Sequence, residues 1–332
     1  MYKPKTSGKY GASIMIKKVQ IKNYRSLYEA EATLSPFTLI LGANGAGKSN
    51  FLGSFSELST ISIRREPEQV GIEVGHFNHT EEPVLMQCTF DDGEEAEFRM
   101  VDPQERHRDY QSTHLLQQDY TRLFRFDPQN AGATELIKAD SRVGPEGQGV
   151  VNVLDQLKTG DREDLFEQLE QFLKKQIPEV EKLSTVVVQN KKRLQIREKH
   201  IATPIPVASA SEGTQLLILV LAVVFQEDPP KLICLEDIDR GMHPRLYQRL
   251  VEMLKDLTRE RDIQIIASTH NPYLLDQFAG DEESVLIIEK ENGKSTITSL
   301  ADRLEAGDTA EAALGELWYG GFLGGVPAQA KP

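Results

Sequence analysis

Cysteine is scarce in this chain: Cys88 and Cys234 are the only two in 332 residues, each inside an apolar, strand-like run. Placed so, they predict buried reduced thiols rather than a disulfide, as suits a cytosolic protein. No apolar run is long enough to span a bilayer. The longest, Leu216 to Phe225, has the length of a core helix, and no secretory segment is visible, so no membrane association is expected. Positive charge is not in excess either. The 38 Lys and Arg face 51 Asp and Glu, and a net charge of −13 argues against a general polyanion binder while leaving room for a local basic face. Histidine offers no metal cluster: His76 and His79 are the only close pair, without a clear third ligand, and His114 and His200 stand alone. There is no internal repeat and no heptad run of coiled-coil length. What remains is an ordinary globular balance, 39% hydrophobic and 27% charged, enough for one or two domains with a sizeable core.

The most informative stretch is Gly42-Ala43-Asn44-Gly45-Ala46-Gly47-Lys48-Ser49, a glycine, four residues and then Gly-Lys-Ser. An apolar, β-prone run (Pro36 to Leu41) precedes it and a helical one follows, which is the strand–loop–helix setting of a P-loop. Its glycines let successive backbone N–H groups face anionic oxygens, and the following helix adds the positive end of its dipole. Lys48 can reach the β and γ phosphates of a nucleotide, and the Ser49 hydroxyl can ligate Mg²⁺.

Residues 1–14 lack apolar pattern and predict a disordered tail or a start-site artefact; the P-loop domain is expected over 15–332. Met15 to Ala32 reads as a strand pair whose charged residues up to Tyr28 (Lys17, Lys18, Lys22, Arg25) are all basic, either a solvated edge or a face for nucleic acid or nucleotide. The P-loop helix should run to about Thr60. A hairpin turns at Asp91-Asp92-Gly93. From Asp102 to about Gln118 a loop or short helix is expected in an inserted lobe spanning about 102–206, and Tyr120 to Asp127 reads as a strand or turn. The lobe continues with a helix from Gly149, an amphipathic helix over Arg162 to Gln176, and a hairpin around Asn190-Lys191-Lys192. Beyond it come an apolar helix to Phe225, buried strands at Leu232 to Leu235 and Ile263 to Ala267, helices at Leu246 to Asp256 and Pro272 to Phe278, and a hairpin around Asn292-Gly293.

Three further motifs bear on the P-loop. The strand Leu232 to Leu235 ends in Glu236-Asp237, an acid pair that either caps the strand or supplies a metal ligand (Glu236) and a general base for an attacking water (Asp237). The strand ending Ser268-Thr269-His270 puts His270 where it can meet a γ-phosphate or water, or serve as an ordinary polar strand end. Ser211-Glu212-Gly213-Thr214 opens the apolar helix; Ser211 is explained equally by a helix cap and by a phosphate-binding turn.

The order of these motifs resembles that of ABC-type ATPases, and more closely the RecF/SMC/OLD-like bacterial branch. The resemblance rests on Ile21-Lys22-Asn23-Tyr24-Arg25-Ser26-Leu27, the P-loop, Ala208 to Thr214 as signature, Glu236 to Pro244 as Walker B and D-loop, and Ser268 to Pro272 as switch. Looser likenesses lie at Phe124-Arg125-Phe126-Asp127-Pro128 and at Leu314 to Tyr319. The resemblance implies an α/β fold: an ABC-type P-loop NTPase head with a mixed sheet and a small α/β lobe inserted between P-loop and signature. It implies ATP and Mg²⁺ as ligands, held by Gly42, Asn44, Gly45, Ala46, Gly47, Lys48, Ser49 and Asn50, with Ser49 and Glu236 on the metal and Lys48, Asp237 and His270 in catalysis. It also implies a head-to-tail homodimer in which Ser211 and Gly213 act in trans.

Two departures stand out. The acid order is Glu-Asp where the family has Asp-Glu or Glu-Glu, so the base is one methylene shorter and fast hydrolysis is in question. The family's Q-loop glutamine has no obvious counterpart; Gln87 is one candidate. The insert is too short for SMC arms, and the chain stops soon after the switch without OLD-type nuclease acids, so a separate effector protein is expected, by family analogy a nuclease or DNA-processing partner in genome maintenance or antiviral defence. The apolar, glycine-broken stretch Trp318 to Val326 is either its docking surface or part of the chain's own core.

Overall fold

The computed structural model describes residues 15–63, 82–100, 108–111, 120–138, 141–305 and 313–326. In chain order these form β1 (Ile16–Tyr24), β2 (Leu27–Thr33), β3 (Phe37–Leu41), α1 (Lys48–Ile63), β4 (Val84–Phe90), β5 (Glu95–Met100), β6 (Arg108–Gln111), β7 (Thr121–Phe124) and β8 (Glu135–Leu136). They continue with α2 (Val150–Thr159), α3 (Glu163–Gln176), β9 (Val180–Val188), β10 (Lys191–Glu198), β11 (Ile205–Pro206), α4 (Glu212–Phe225), β12 (Leu232–Leu235), α5 (Tyr247–Arg261) and β13 (Gln264–Thr269). The last elements are α6 (Pro272–Leu275), β14 (Val285–Glu291), β15 (Lys294–Ser299), α7 (Leu300–Glu305) and α8 (Leu314–Tyr319).

The frame is a six-stranded mixed sheet in the order β15-β14-β3-β13-β12-β7. All its neighbours are parallel except β15, which returns antiparallel along one edge. β3, β12 and β13 are buried at every residue, which is why they read as unbroken apolar runs rather than alternating ones. Their side chains still alternate between two cores. Leu39, Leu41, Ile233, Leu235, Ile265 and Ala267 pack into one apolar cluster with α4 and α5. Ile40, Cys234 and Ile266 point the other way, onto Phe51, Leu52 and Phe55 of α1 and onto a five-stranded antiparallel sheet, β2-β1-β4-β5-β6. The P-loop helix is thus held between two sheets. Helix α4 is apolar on every side because it is enclosed on every side: Leu216 to Phe225 are all buried. The small sheet of β8 to β11 with α2 and α3 shares that first core through Leu154, Leu165, Leu169 and Leu194.

One local expectation is corrected and another is resolved. Within the stretch expected as a loop or short helix, Arg108–Gln111 is strand β6, an edge strand pairing Tyr110 with Phe98 and Asp109 with Arg99 on β5. Its polar sequence matches an outer edge, where only one side is paired. The rest of 102–118, like residues 1–14, lies outside the described residues. Thr121–Phe124, undecided between strand and turn, is the outer parallel strand of the central sheet, with Phe124 beside Leu235. Cys88 and Cys234 are free and fully enclosed; burial pushes the Cys88 thiol up to about 12 and the Cys234 thiol up as well, so both stay protonated and inert. At the C-terminal side Trp318 and Leu323 are buried in the core while Tyr319 and Phe322 are exposed.

Candidate functional site

Parallel pairing aligns the carboxyl ends of four strands: Leu41 lies beside Thr269, Ala267 beside Leu235, and Leu235 beside Phe124. The residues that follow, Gly42, His270, Glu236 and Arg125, therefore emerge along one edge of the sheet, where open α/β sheets carry their ligand crevice.

The P-loop conformation needs its glycines. Gly45 and Gly47 take φ of +78° and +114°, where side chains are strained. A Cβ at Gly47 would meet Ser295 Oγ at 2.4 Å and Ser26 Oγ at 2.9 Å, and one at Gly42 would meet the Ile288 carbonyl at 2.4 Å. Those contacts identify two supports that sequence reasoning missed. Ser295 Oγ donates to Ala46 O at 2.6 Å and lies 2.8 Å from Ser26 Oγ, which accepts from Asn50 Nδ2 at 2.7 Å. Asn50, expected at the nucleotide, gives its amide to this brace and also lines the cleft beside Ser49. The Lys48 ammonium donates to Gly42 O at 2.7 Å and Ala43 O at 3.1 Å and is 9% exposed. Burial lowers its pKa, while Asp237, Glu236 and Asp239 pull it back up.

A cleft of about 210 Å³ brings together Asn44, Gly45, Lys48, Ser49, Glu236 and Asp237. Glu236 Oε2 accepts from Arg125 Nε at 2.5 Å, and its Oε1 is buried without a hydrogen-bond partner. An orphaned carboxylate oxygen on a residue that lines the cleft together with Ser49 fits a hard cation that takes one or two protein ligands and completes its shell with phosphate and water. Among the described residues no group of three or more His, Cys, Asp and Glu could hold a metal by itself. Asp237 is in the left-handed region, φ +48°, with its N–H donating to Ser268 Oγ at 3.2 Å and its Oδ1 3.4 Å from His270 Nδ1. Asp239 is buried and accepts from Thr269 Oγ1 at 2.7 Å, tying the segment after Walker B to β13.

Ser211 and Gly213 do not line this cleft. Ser211 caps α4, its Oγ accepting from Thr214 N–H at 3.2 Å, and is itself exposed. Gly213 faces the D-loop: a Cβ there would lie 3.2 Å from Met242 Cγ and 3.3 Å from Gly241 O. Gln87 is also elsewhere. It sits on β4 with its amide donating to Glu97 Oε2 at 2.6 Å, so the Q-loop candidate is overturned: period-two alternation turns Gln87 to the side away from the central sheet. The strand end beside Glu236 carries Arg125 instead. Two of the basic residues of the β1–β2 stretch are paired locally, Lys18 with Glu31 at 2.6 Å and Lys22 with Glu29 at 3.2 Å, and Lys192 is paired with Asp155. The Arg64-Arg65 pair, a further basic cluster of the sequence, lies outside the described residues, as do His76, His79 and His114.

Fold and crevice define a P-loop ATPase head. The chain matches the AAA_21 family, described as "AAA domain, putative AbiEii toxin, Type IV TA system", over residues 37–276, and belongs to it. An OLD nuclease of Thermus scotoductus is 22% identical over 377 residues, an alignment covering 92% of this chain and 70% of that protein. Among solved structures, an SMC head bound to the C-terminal winged-helix domain of ScpA shares the fold with a TM-score of 0.54 at 13% identity, covering 87% of this chain and 99% of that one. The SMC head domain of Thermotoga maritima gives 0.52 at 15% identity, with 86% and 98% covered. The chain is therefore an ATPase of the RecF/SMC/OLD-like group.

Proposed function

We propose that the chain binds ATP with Mg²⁺ and hydrolyses it in a head-to-tail homodimer whose opening and closing drives or gates a separate effector. The observation that carries this reading is a division of the motifs. Lys48, Ser49, Glu236 and Asp237 converge on one cleft, while Ser211 and Gly213 open a helix that does not line it. A single chain offers one of each half, so a second copy, turned head to tail, completes the site.

In this reading the P-loop amides and the Lys48 ammonium hold the β and γ phosphates. The bound Mg²⁺, held by Ser49 and Glu236, would neutralise developing phosphate charge. Asp237 accepts the proton of the attacking water, and His270, within reach of the Asp237 carboxylate, orients that water or the γ-phosphate. The partner's Ser-x-Gly turn presents a capped helix N-terminus to the same phosphate.

Among the described residues no helix is long and apolar enough to cross a membrane, in keeping with work in the cytoplasm. A separate effector, a nuclease or DNA-processing enzyme in DNA maintenance or antiviral defence, is supported by the likeness to an OLD nuclease and by the ScpA-bound SMC head. Direct nucleic-acid contact has less support, because Lys18 and Lys22 of β1 are paired with acids of β2. A second reading, a slow nucleotide-gated sensor, is favoured by one feature: the short Asp237 side chain is set on a left-handed backbone facing His270.

Steady-state phosphate release by the purified chain, with and without DNA, distinguishes the two. Turnover that needs Mg²⁺ and is lost in EDTA is expected. ATP bound tightly with no release under any condition would leave the sensor in place of the enzyme.

A further inference from the structure

Arg125 is a charged residue at the crevice to which no P-loop chemistry assigns a task. Its backbone is fixed: the N–H donates to Pro145 O at 2.8 Å, Asp127 N–H donates to Glu146 O at 3.0 Å, and the preceding Phe124 is in register with Leu235. Its side chain is not enclosed. The guanidinium-bearing side chain is 55% exposed, while that of its partner Glu236 is 15% exposed. One oxygen of Glu236 is thus clamped at 2.5 Å by a cation that can swing into water, and the other is buried without a partner.

We infer that Arg125 is a positioning residue that competes with Mg²⁺ for Glu236 and so sets the Mg²⁺ concentration at which ATP is held. This rests on the ATP-binding reading given above. The argument is one of charge. Without a metal, the carboxylate of Glu236 would repel the phosphates of a nucleotide on the P-loop; Arg125 cancels that charge. When a divalent cation takes Glu236, a guanidinium bonded to the same carboxylate repels it, and the metal binds well only as Arg125 loosens its hold. The fixed backbone makes the exchange a rotation of one exposed side chain, with no shift of strand or loop.

The test is equilibrium binding of a fluorescent methylanthraniloyl ATP analogue, with Mg²⁺ titrated upward from an EDTA baseline. It compares wild type with Arg125→Gln, Arg125→Lys, Glu236→Gln and the Arg125→Gln, Glu236→Gln double variant. Arg125→Gln is expected to lower the half-saturating Mg²⁺ about tenfold, the size of one unit charge acting on a divalent ion across a solvent-exposed gap. The same variant should weaken binding in EDTA. Arg125→Lys should stay near wild type, and in the Glu236→Gln background the Arg125 substitution should change nothing. A Mg²⁺ threshold that is unchanged or raised in Arg125→Gln overturns the inference, as does an equal shift with Glu236 already replaced. A wild-type chain that binds no analogue with or without Mg²⁺ brings down the ATP reading itself, and the clamp with it. Normal wild-type binding with an unresponsive Arg125 removes the clamp alone.

Discussion

Lys48→Ala is expected to lose nucleotide binding about a hundredfold or more, the usual cost of removing one partner from an enclosed charge pair, while the protein stays folded. The ammonium is almost buried and rests on the Gly42 and Ala43 carbonyls inside the cleft. Burial holds its pKa below the ordinary lysine value, so the charged form is less favourable in the fold than in the unfolded chain. The sign follows. Below the folded pKa the native state carries that penalty in full, and it fades as pH rises through the ordinary lysine range. At neutral pH the alanine variant therefore sheds a cost while losing two hydrogen bonds, and its melting temperature should move by only a few degrees, roughly 2 °C per kcal/mol for a chain of this size. Calorimetric binding of ATP together with a thermal melt checks both halves. Collapse of the fold, or wild-type affinity in the variant, would contradict the assignment of Lys48 to phosphate.

The second large effect concerns turnover. Asp237→Asn should slow hydrolysis by about a hundredfold or more, the range of a lost general base, with ATP affinity changed by less than about threefold. Asparagine is the informative replacement because Asp237 sits at φ +48°, a region that asparagine tolerates and most residues do not. The backbone bond to Ser268 Oγ is then kept and only the charge is removed. Asp237→Glu adds one methylene of reach at the cost of backbone strain; a rate above wild type would show that side-chain length limits turnover. Single-turnover phosphate release alongside equilibrium binding separates the steps. An Asn variant that hydrolyses at the wild-type rate would remove Asp237 from the chemistry.

What could be read from the sequence was local. Gly42 to Ser49 declares itself because strand, turn and helix are contiguous, and the buried strands at Leu232 and Ile265 do so because parallel strands covered on both faces are apolar throughout. Strand β6 escaped because a polar edge strand has the composition of a loop. Arg125 escaped because its partner Glu236 is 111 residues away, and Ser295 because it braces Ala46 across 249 residues. Neither pairing leaves a periodic trace. Asn50 reads as a site residue from its place beside Ser49 and does line the cleft, but the bond from its amide to Ser26 on the β1–β2 turn leaves no trace in the sequence. Gln87 failed as a candidate for lack of register, since which face of β4 it occupies follows from pairing with β1 and β5.

The central claim is that the cleft at Lys48 is completed by Ser211 of a second copy. Site-directed crosslinking reads this directly, because Asn44 and Ser211 are both exposed and the two native thiols are buried and protonated. Chains carrying Asn44→Cys are mixed with chains carrying Ser211→Cys and treated with a short bismaleimide, with and without Mg²⁺ and ATP. A crosslinked dimer that forms only in the mixture, and only with nucleotide, is the predicted result. No dimer in the mixture, or a link that forms within single chains carrying both substitutions, would contradict the account.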